Sequence, residues 1–388
     1  MSTLVARDEA FLDGIAAAAE VAAEAADDVD RQARFPAEAL AVLRSRNALS
    51  AFVPGSLGGG GVSLLDVAEA CYELGRSCAA TGMVYAMHQI QVGTIARHLE
   101  GAPAFENYLS ELCSRQLLIA SATSEVGVGG DIRRSNAAVR TDGVSVTLEK
   151  QATTISYGAE ADDVLVTARR SEDAEPNDQV LVLARGASTT LEQLGGWDVL
   201  GMRGTCSPGF SLRTRVPADH VLPTAFGDVA GRTMVPLSHI FWSHVWLGIA
   251  TSAYDRARSY ARAQASRKSD PPRGGVDRMP GLFALLQSMQ SEVRSAADAY
   301  AAATADVAVG DSFTVGLALR LNTLKLNASE SAPRICEEAL AVTGIAGYRN
   351  DTSYSIGRQL RDALSAELMI GNDRIRASNA SLLLVHKA

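Results

Sequence analysis

Histidine, tryptophan and serine share one face of a predicted helix. His239, Trp242, Ser243 and Trp246 follow i, i+3, i+4, i+7 spacing. Such a face ordinarily packs into a core, yet an imidazole titrates near neutrality and can act as acid or base. A second candidate catalytic residue, His88, sits in the apolar run Tyr85-Ala-Met-His-Gln-Ile-Gln-Val92, where a satisfied core histidine is the plain alternative. Three glycine-bearing turns add candidate binding residues, because glycine lets backbone approach a bound group closely. They are Ser121-Ala-Thr-Ser-Glu-Val-Gly-Val-Gly-Gly-Asp131, Thr343-Gly-Ile-Ala-Gly-Tyr348 and Met369-Ile-Gly-Asn372. A fourth run, Val53-Pro-Gly-Ser-Leu-Gly-Gly-Gly-Gly61, lacks the Gly-Lys-Ser/Thr ending of a phosphate loop and follows no clear strand. It reads as a turn, with Ser63 capping the next helix and Asp66 as its partner.

Composition narrows the classes of function. The 388 residues carry a net charge of −8 and no basic run, which argues against nucleic acid or an anionic membrane as the main partner. Hydrophobic residues make up 47% and aromatics only 5%, which favours helix packing over a β-sandwich. Cys71, Cys78, Cys113, Cys206 and Cys336 are scattered, without a Cys-x-x-Cys. They read as reduced cytoplasmic thiols, with neither a disulfide framework nor a metal site. Met1 to Asp13 has acidic residues and no apolar core, so no signal peptide is expected. Thr233 to Tyr254 lacks Asp, Glu, Lys and Arg, but Pro236, Ser238, His239, Ser243 and His244 interrupt it, so a buried helix is expected rather than a membrane span.

The elements that must position these residues fall into three stretches. Residues 1–115 read as an N-terminal helical domain, with helices across 8–47, 63–99 and 103–114. Residues 116–232 read as a β domain of short apolar runs separated by turns, among them Val144-Ser-Val-Thr-Leu148 and Val180-Leu-Val-Leu183. Residues 233–388 return to long helices, near 237–266, 279–309, 312–341, 353–369 and 372–386. The class is α+β.

This order of motifs resembles the acyl-CoA dehydrogenase superfamily over essentially the whole chain. Gly344, Gly347 and Tyr348 match that family's Gly-Gly-x-Gly-Tyr/Phe turn, Arg361-Asp362 its Arg-Asp pair, and Gly371 the glycine after its catalytic Glu. The resemblance implies an N-terminal helical domain, a middle β-barrel-like domain and a C-terminal four-helix bundle, assembled as a dimer of dimers with FAD at an interface. It implies that Thr123 and Ser124 contact the flavin pyrimidine, that Gly129 and Gly130 lie at the flavin or thioester chain, and that Ser156 hydrogen-bonds flavin N5. It also implies that Arg267 pairs with the FAD pyrophosphate, that Gly344 and Gly347 touch the adenine half in a neighbouring subunit, and that Gly371 and Asn372 close the site. The sequence departs from the family at Thr154, where an aromatic residue usually shields the flavin, at Ala341, where a Gln is usual, and after Arg267, where Phe-Gly is absent. FMN in place of FAD is therefore open.

The largest departure is the base. The family's Glu, which abstracts the substrate α-proton, falls on Ile370, and its alternative place falls on Ser238. Neither can act as a carboxylate base. Glu367 and Asp373 are weak substitutes. The resemblance thus leaves three readings. One is an oxidoreductase acting on an acyl thioester, with an atypical or absent base. The second is a reduced-flavin monooxygenase working through a flavin C4a-hydroperoxide, with His88 and His239 on opposite walls. The third is a non-catalytic subunit of a mixed tetramer. A flavin reductase or an electron-transfer flavoprotein is the partner implied for electron supply.

Overall fold

The computed structural model describes residues 7–266, 275–305 and 313–386. Five helices come first: α1 (Glu9–Gln32), α2 (Ala37–Ser45), α3 (Leu64–Ser77), α4 (Ala79–Ala96) and α5 (Pro103–Arg115). Ser63 caps α3 by accepting from Asp66 N at 3.1 Å and donating to Asp66 Oδ2 at 3.0 Å. Within the 53–61 turn, a Cβ on Gly59 would lie 2.3 Å from Val53 O, so the glycine there serves chain crossing.

Seven strands follow: β1 (Ile119–Ala122), β2 (Arg140–Thr141), β3 (Ser145–Ala152), β4 (Asp163–Arg169), β5 (Gln179–Arg185), β6 (Thr189–Leu194) and β7 (Gly209–Pro217). They form two sheets, β1-β4-β5 and β2-β3-β7-β6, and do not close. This corrects the barrel-like expectation. The β1-β4 pair is parallel while β4-β5 is antiparallel, and the two sheets share no ladder that would complete a ring. β4 is buried from Asp163 to Ala168 and β5 from Gln179 to Ala184, whereas β3 and β7 alternate in burial along their length. The first sheet is therefore covered on both faces and the second on one.

Helices resume at α6 (Phe226–Val229) and continue as α7 (Val235–Ala265), α8 (Met279–Thr304), α9 (Val315–Thr343), α10 (Ile345–Tyr348), α11 (Gly357–Ala363) and α12 (Asn372–Leu383). α7, α8 and α9 pack on one another, and α12 lies against α9. α7 also packs on α3 and α4, so it is the spine joining both helical regions. Its residues Pro236 to Ile249 are buried except Trp242. No helix among the described residues is long and apolar enough to cross a membrane. All five cysteines are unpaired.

Candidate functional site

The loop after β1 is anchored from below by a buried ion pair. Glu125 accepts from Ser135 Oγ (2.6 Å), Asn136 N (3.0 Å) and Ala137 N (2.7 Å). The Lys150 ammonium lies 3.6 Å from it and donates to Thr167 O and Oγ1. Burial pulls Lys150 down to about 8, and Glu125 opposes that shift. On this base the loop rises through Thr123 and Ser124 to three left-handed glycines, Gly127, Gly129 and Gly130, with φ of 88°, 59° and 79°. A Cβ on Gly130 would meet nothing within 4 Å, so it is backbone conformation, not crowding, that calls for glycine there.

Ser124 ties this loop to the segment after β3. Its hydroxyl donates to Thr154 O at 2.8 Å and accepts from Thr154 N at 3.1 Å. Two residues on, Ser156 is half-buried and accepts from Ser207 Oγ at 2.8 Å. Thr205 Oγ1 lies 2.8 Å from Ser207 Oγ and donates to Met202 O. Ser207 Oγ also lies 3.2 Å from Thr205 O, and the hydroxyl chain ends at Ser156, which presents its hydroxyl at the open end.

The loop also reaches the C-terminal turn. Gly129 O accepts a close hydrogen bond from Arg374 of α12. Gly371 is the N-cap of α12, and Asn372 is its first residue. The Arg374 bond therefore places the Thr123–Gly130 loop beside the Gly371-Asn372 turn.

A residue that the sequence reading missed holds this turn. Lys325 of α9 has no solvent exposure, yet its ammonium donates to Ile370 O at 2.9 Å and Asn372 Oδ1 at 2.6 Å. Asn372 Nδ2 in turn donates to Ser329 Oγ at 3.1 Å. Ile370 sits in the left-handed region at φ 51°, an unfavourable place for a β-branched residue, and the Lys325 bond fixes it there. Burial pulls Lys325 down to about 8, opposed by the nearby Glu367 carboxylate. The signal was present in the sequence: Lys325 lies on the same helix face as Leu321, Ala328 and Ser329, where a cation stands among buried positions.

α7 supplies the facing wall. The Trp246 ring lies 5.9 Å from Lys325 Nζ, and the Trp242 and Trp246 rings are 6.4 Å apart. Trp242 Nε1, Ser243 Oγ and Trp246 Nε1 are buried without a hydrogen-bond partner among the described residues, and the His239 ring has no well-aligned bond, with the Leu321 backbone alone in reach of it. One orphaned buried donor costs about 1–3 kcal/mol, so a helix face carrying several of them is a candidate ligand surface. Burial, with the Lys325 charge adding to it, pulls His239 down to about 3, so its ring is neutral at pH 7. Free donors on α7, a hydroxyl at Ser156 and backbone groups at the glycine loop fit a planar heteroaromatic group with acceptors on its rim, as a flavin ring has.

His88 stands apart from this surface. Its Nε2 bonds Leu49 O at 2.7 Å and its Nδ1 accepts from Ile119 N at 3.1 Å. Both ring nitrogens are therefore spent on main chain, bracing α4 against β1 and the residues after α2. Burial pulls it down to about 4. Gly344 and Gly347 also lie elsewhere. Eighteen residues of α9 separate Lys325 from Thr343, about 27 Å at about 1.5 Å per residue. Gly344 has φ 56°, and a Cβ on Gly347 would lie 1.9 Å from Thr343 Oγ1, so both glycines are required by the turn itself. Arg267 lies outside the described residues.

The usual base is missing in space as well as in sequence. Ser238 Oγ donates to Met234 O at 2.7 Å, Glu367 is exposed, and Ile370 offers only its carbonyl. Four carboxylates are buried among the described residues, Asp66, Glu125, Asp163 and Asp362. Asp66 belongs to the α3 cap, Glu125 to the loop anchor, Asp163 to Arg185 at 3.0 Å, and Asp362 to Met202 N at 2.6 Å. Each is committed to architecture. No group of three metal-ligating side chains occurs among the described residues.

Comparison with known proteins extends this picture. L-evernosamine nitrososynthase of Micromonospora sp. (strain ATCC 39149 / NRRL 15099 / SCC 1413) is 28% identical over 364 residues, covering 90% of this chain and 83% of that protein. Cyclohex-1-ene-1-carbonyl-CoA dehydrogenase of Syntrophus aciditrophicus (strain SB) is 25% identical over 365 residues, covering 90% of this chain and 82% of that protein. The crystal structure of FMN-bound TdsC from Paenibacillus sp. A11-2 shares the fold, with a TM-score of 0.82 over 97% of this chain and 98% of that one at 20% identity. Residues 7–115 match the acyl-CoA dehydrogenase N-terminal domain and residues 237–381 the acyl-CoA dehydrogenase C-terminal domain. With both helical regions matched in order and the fold shared end to end, the chain belongs to the acyl-CoA dehydrogenase superfamily.

Proposed function

We propose that this chain is a flavin-dependent monooxygenase that transfers one oxygen atom of O2 to a small organic molecule. The observation that carries this reading is that every buried carboxylate among the described residues is committed elsewhere, while Lys325 of α9 holds the 370–372 turn that would present a base. Abstraction of an α-proton needs a carboxylate aimed at that carbon. Oxygen transfer does not. Reduced flavin, when bound, supplies the electrons that take the second oxygen atom of O2 to water.

The chain's own residues have distinct tasks in this reading. Ser156 presents its hydroxyl to the edge of the ring, Gly129 and Gly130 offer backbone groups along it, and Ser124 holds the loop to Thr154. Trp242 and Trp246 exclude bulk water from one side. His239, neutral at pH 7, serves as hydrogen-bond donor or acceptor to the substrate. Lys325 and Asn372 hold the turn at Gly371 against that wall. His88 is a structural brace. The cofactor is FAD or FMN. This protomer's described residues serve the ring half, and Gly344, Gly347 and Arg267 would serve an adenine half only from a neighbouring copy. Exposed Ile345 and Tyr348 beside those glycines, 74% and 73% accessible, support a homo-oligomer built as a dimer of dimers. A separate flavin reductase in the cytoplasm is the natural electron source.

A second reading, α,β-dehydrogenation of an acyl thioester, is favoured by the electrostatic reach of Glu367 to Lys325 and by the dehydrogenase relative. Anaerobic mixing of flavin-loaded protein with a panel of acyl-CoA thioesters separates the two. The monooxygenase reading expects no bleaching of the flavin. It also expects oxygen uptake with reduced flavin, and less hydrogen peroxide once an amine, sulfide or phenol substrate is present. Rapid bleaching with enoyl-CoA formation would overturn it.

A further inference from the structure

A cleft opens between α1, the 198–203 loop, α7 and α11. Its volume is about 530 Å3, within the range of small-molecule sites. Arg31, Arg203, Arg256, Arg358 and Arg361 line it with Asp27 and Asp30, and Arg31 and Arg203 are paired further with Asp28 at 3.2 Å and Asp198 at 3.0 Å. Asp30 is taken by the Arg361 fork, and Asp27 meets Arg358 at 3.1 Å while 80% exposed. Arg256 pairs with no carboxylate among the described residues. Its guanidinium donates only to the carbonyls of Ser353 and Ser355, at 3.4 and 3.0 Å. Burial and the facing Arg358 charge pull Arg256 below the usual arginine range. A guanidinium with no carboxylate partner at a cleft wall has donors that an anionic group can accept.

A second, independent feature points to what accompanies that anion. Gln359 lines the same cleft and is 3% exposed, and its Oε1 is buried without a partner. Its Nε2 reaches Ser252 Oγ at 3.4 Å. The amide oxygen is an acceptor that only a donor on a ligand would satisfy. A neighbouring cleft that shares Arg256 and Arg358 also holds Glu73, Arg76 and Asp255, with Arg76 paired to Asp255 at 2.6 Å.

We propose that the cleft binds an organic phosphate, its phosphoryl group held between Arg256 and Arg358 and a ligand hydroxyl donating to Gln359. The site is separate from the Ser156 region and does not depend on the reaction proposed above. It is tested by calorimetric titration of the flavin-loaded protein with inorganic pyrophosphate and with ribose 5-phosphate. Saturable binding is expected for both. Arg256→Gln should weaken it about tenfold or more, the loss of one charge-assisted hydrogen bond. Asn350→Asp, which adds a carboxylate at the exposed rim without changing volume, should weaken it in the same direction even if Arg256→Gln folds poorly. Gln359→Glu keeps an acceptor for the ligand hydroxyl while adding a negative charge, so it should weaken pyrophosphate binding more than ribose 5-phosphate binding. Absence of saturable binding, or equal affinity in wild type, Arg256→Gln and Asn350→Asp, would overturn the proposal.

Discussion

At the scale of single residues, the two histidines differ in what their ring nitrogens touch. His88 spends both on backbone, so His88→Ala leaves Ile119 N without its partner and Leu49 O with only the 3.2 Å bond from Gln89 Nε2. The expected cost is about 3 kcal/mol of stability from the lost bonds and the cavity. Chemical denaturation should show that loss, while turnover per folded flavin-loaded molecule should stay near wild type. Ser156 presents the opposite case. Ser156→Ala removes one donor at the ligand edge and no core packing. It should lower turnover about tenfold to a hundredfold with flavin content, read by absorbance, retained. If turnover is unchanged, Ser156 is not at the reacting edge.

At the scale of elements, two joints decide whether the site is assembled. Arg361 forks onto Asp30 of α1 and donates to Leu200 O, while Asp362 receives Met202 N, so the Arg-Asp pair locks α11 to α1 and to the loop that leads to Ser207. A Cβ on Gly201 would lie 2.0 Å from Arg361 O, which shows how close that docking is. A double-mutant cycle of Arg361→Gln and Asp30→Asn should return a coupling of about 1–3 kcal/mol in urea melts; additivity would mean that the pair is ornamental. The second joint is Lys325 on the 370–372 turn. Lys325→Met should release Ile370 from its left-handed conformation. Ile370→Gly should relieve strain by about 1 kcal/mol, and the variant should melt no lower than wild type despite losing a side chain.

At the scale of the whole molecule, acid should loosen the fold. Burial pulls His88 and His244 to about 4 and His239 to about 3. Unfolded histidines take up protons near pH 6.5. Between pH 6.5 and 4 the unfolded chain therefore binds protons that the folded chain does not. Stability is full above pH 6.5 and falls with pH by about 1.4 kcal/mol per unit for each histidine. Asp362 acts in the opposite direction: burial raises it to about 6, so folding is favoured as it protonates and one histidine is offset. Urea midpoints should fall from pH 7 to pH 5 with a net slope near that of two histidines. Equal stability at the two values would mean that these rings are not buried neutral.

Local signals carried much of this. The long helices are legible because apolar periodicity and caps such as Ser63 are properties of neighbouring residues, and the long C-terminal helices near 237–266, 279–309 and 312–341 appear within a few residues of their expected ends. The strands are legible from short apolar runs, but whether they close into a ring depends on pairing between distant strands, and the sheets remain two. The absence of a carboxylate at positions 370 and 238 is likewise written in the chain. What the sequence could not decide is which polar groups find partners. His88 and His239 look alike on their helices, yet one is satisfied by Leu49 and Ile119 from other elements and the other has no well-aligned bond, only the Leu321 backbone in reach. Lys325 reads as one more helical lysine until α9 packs on α7 and brings it to Asn372. Hydrogen-bond satisfaction is a property of contacts far apart in the chain, so the tertiary structure alone separates brace from site.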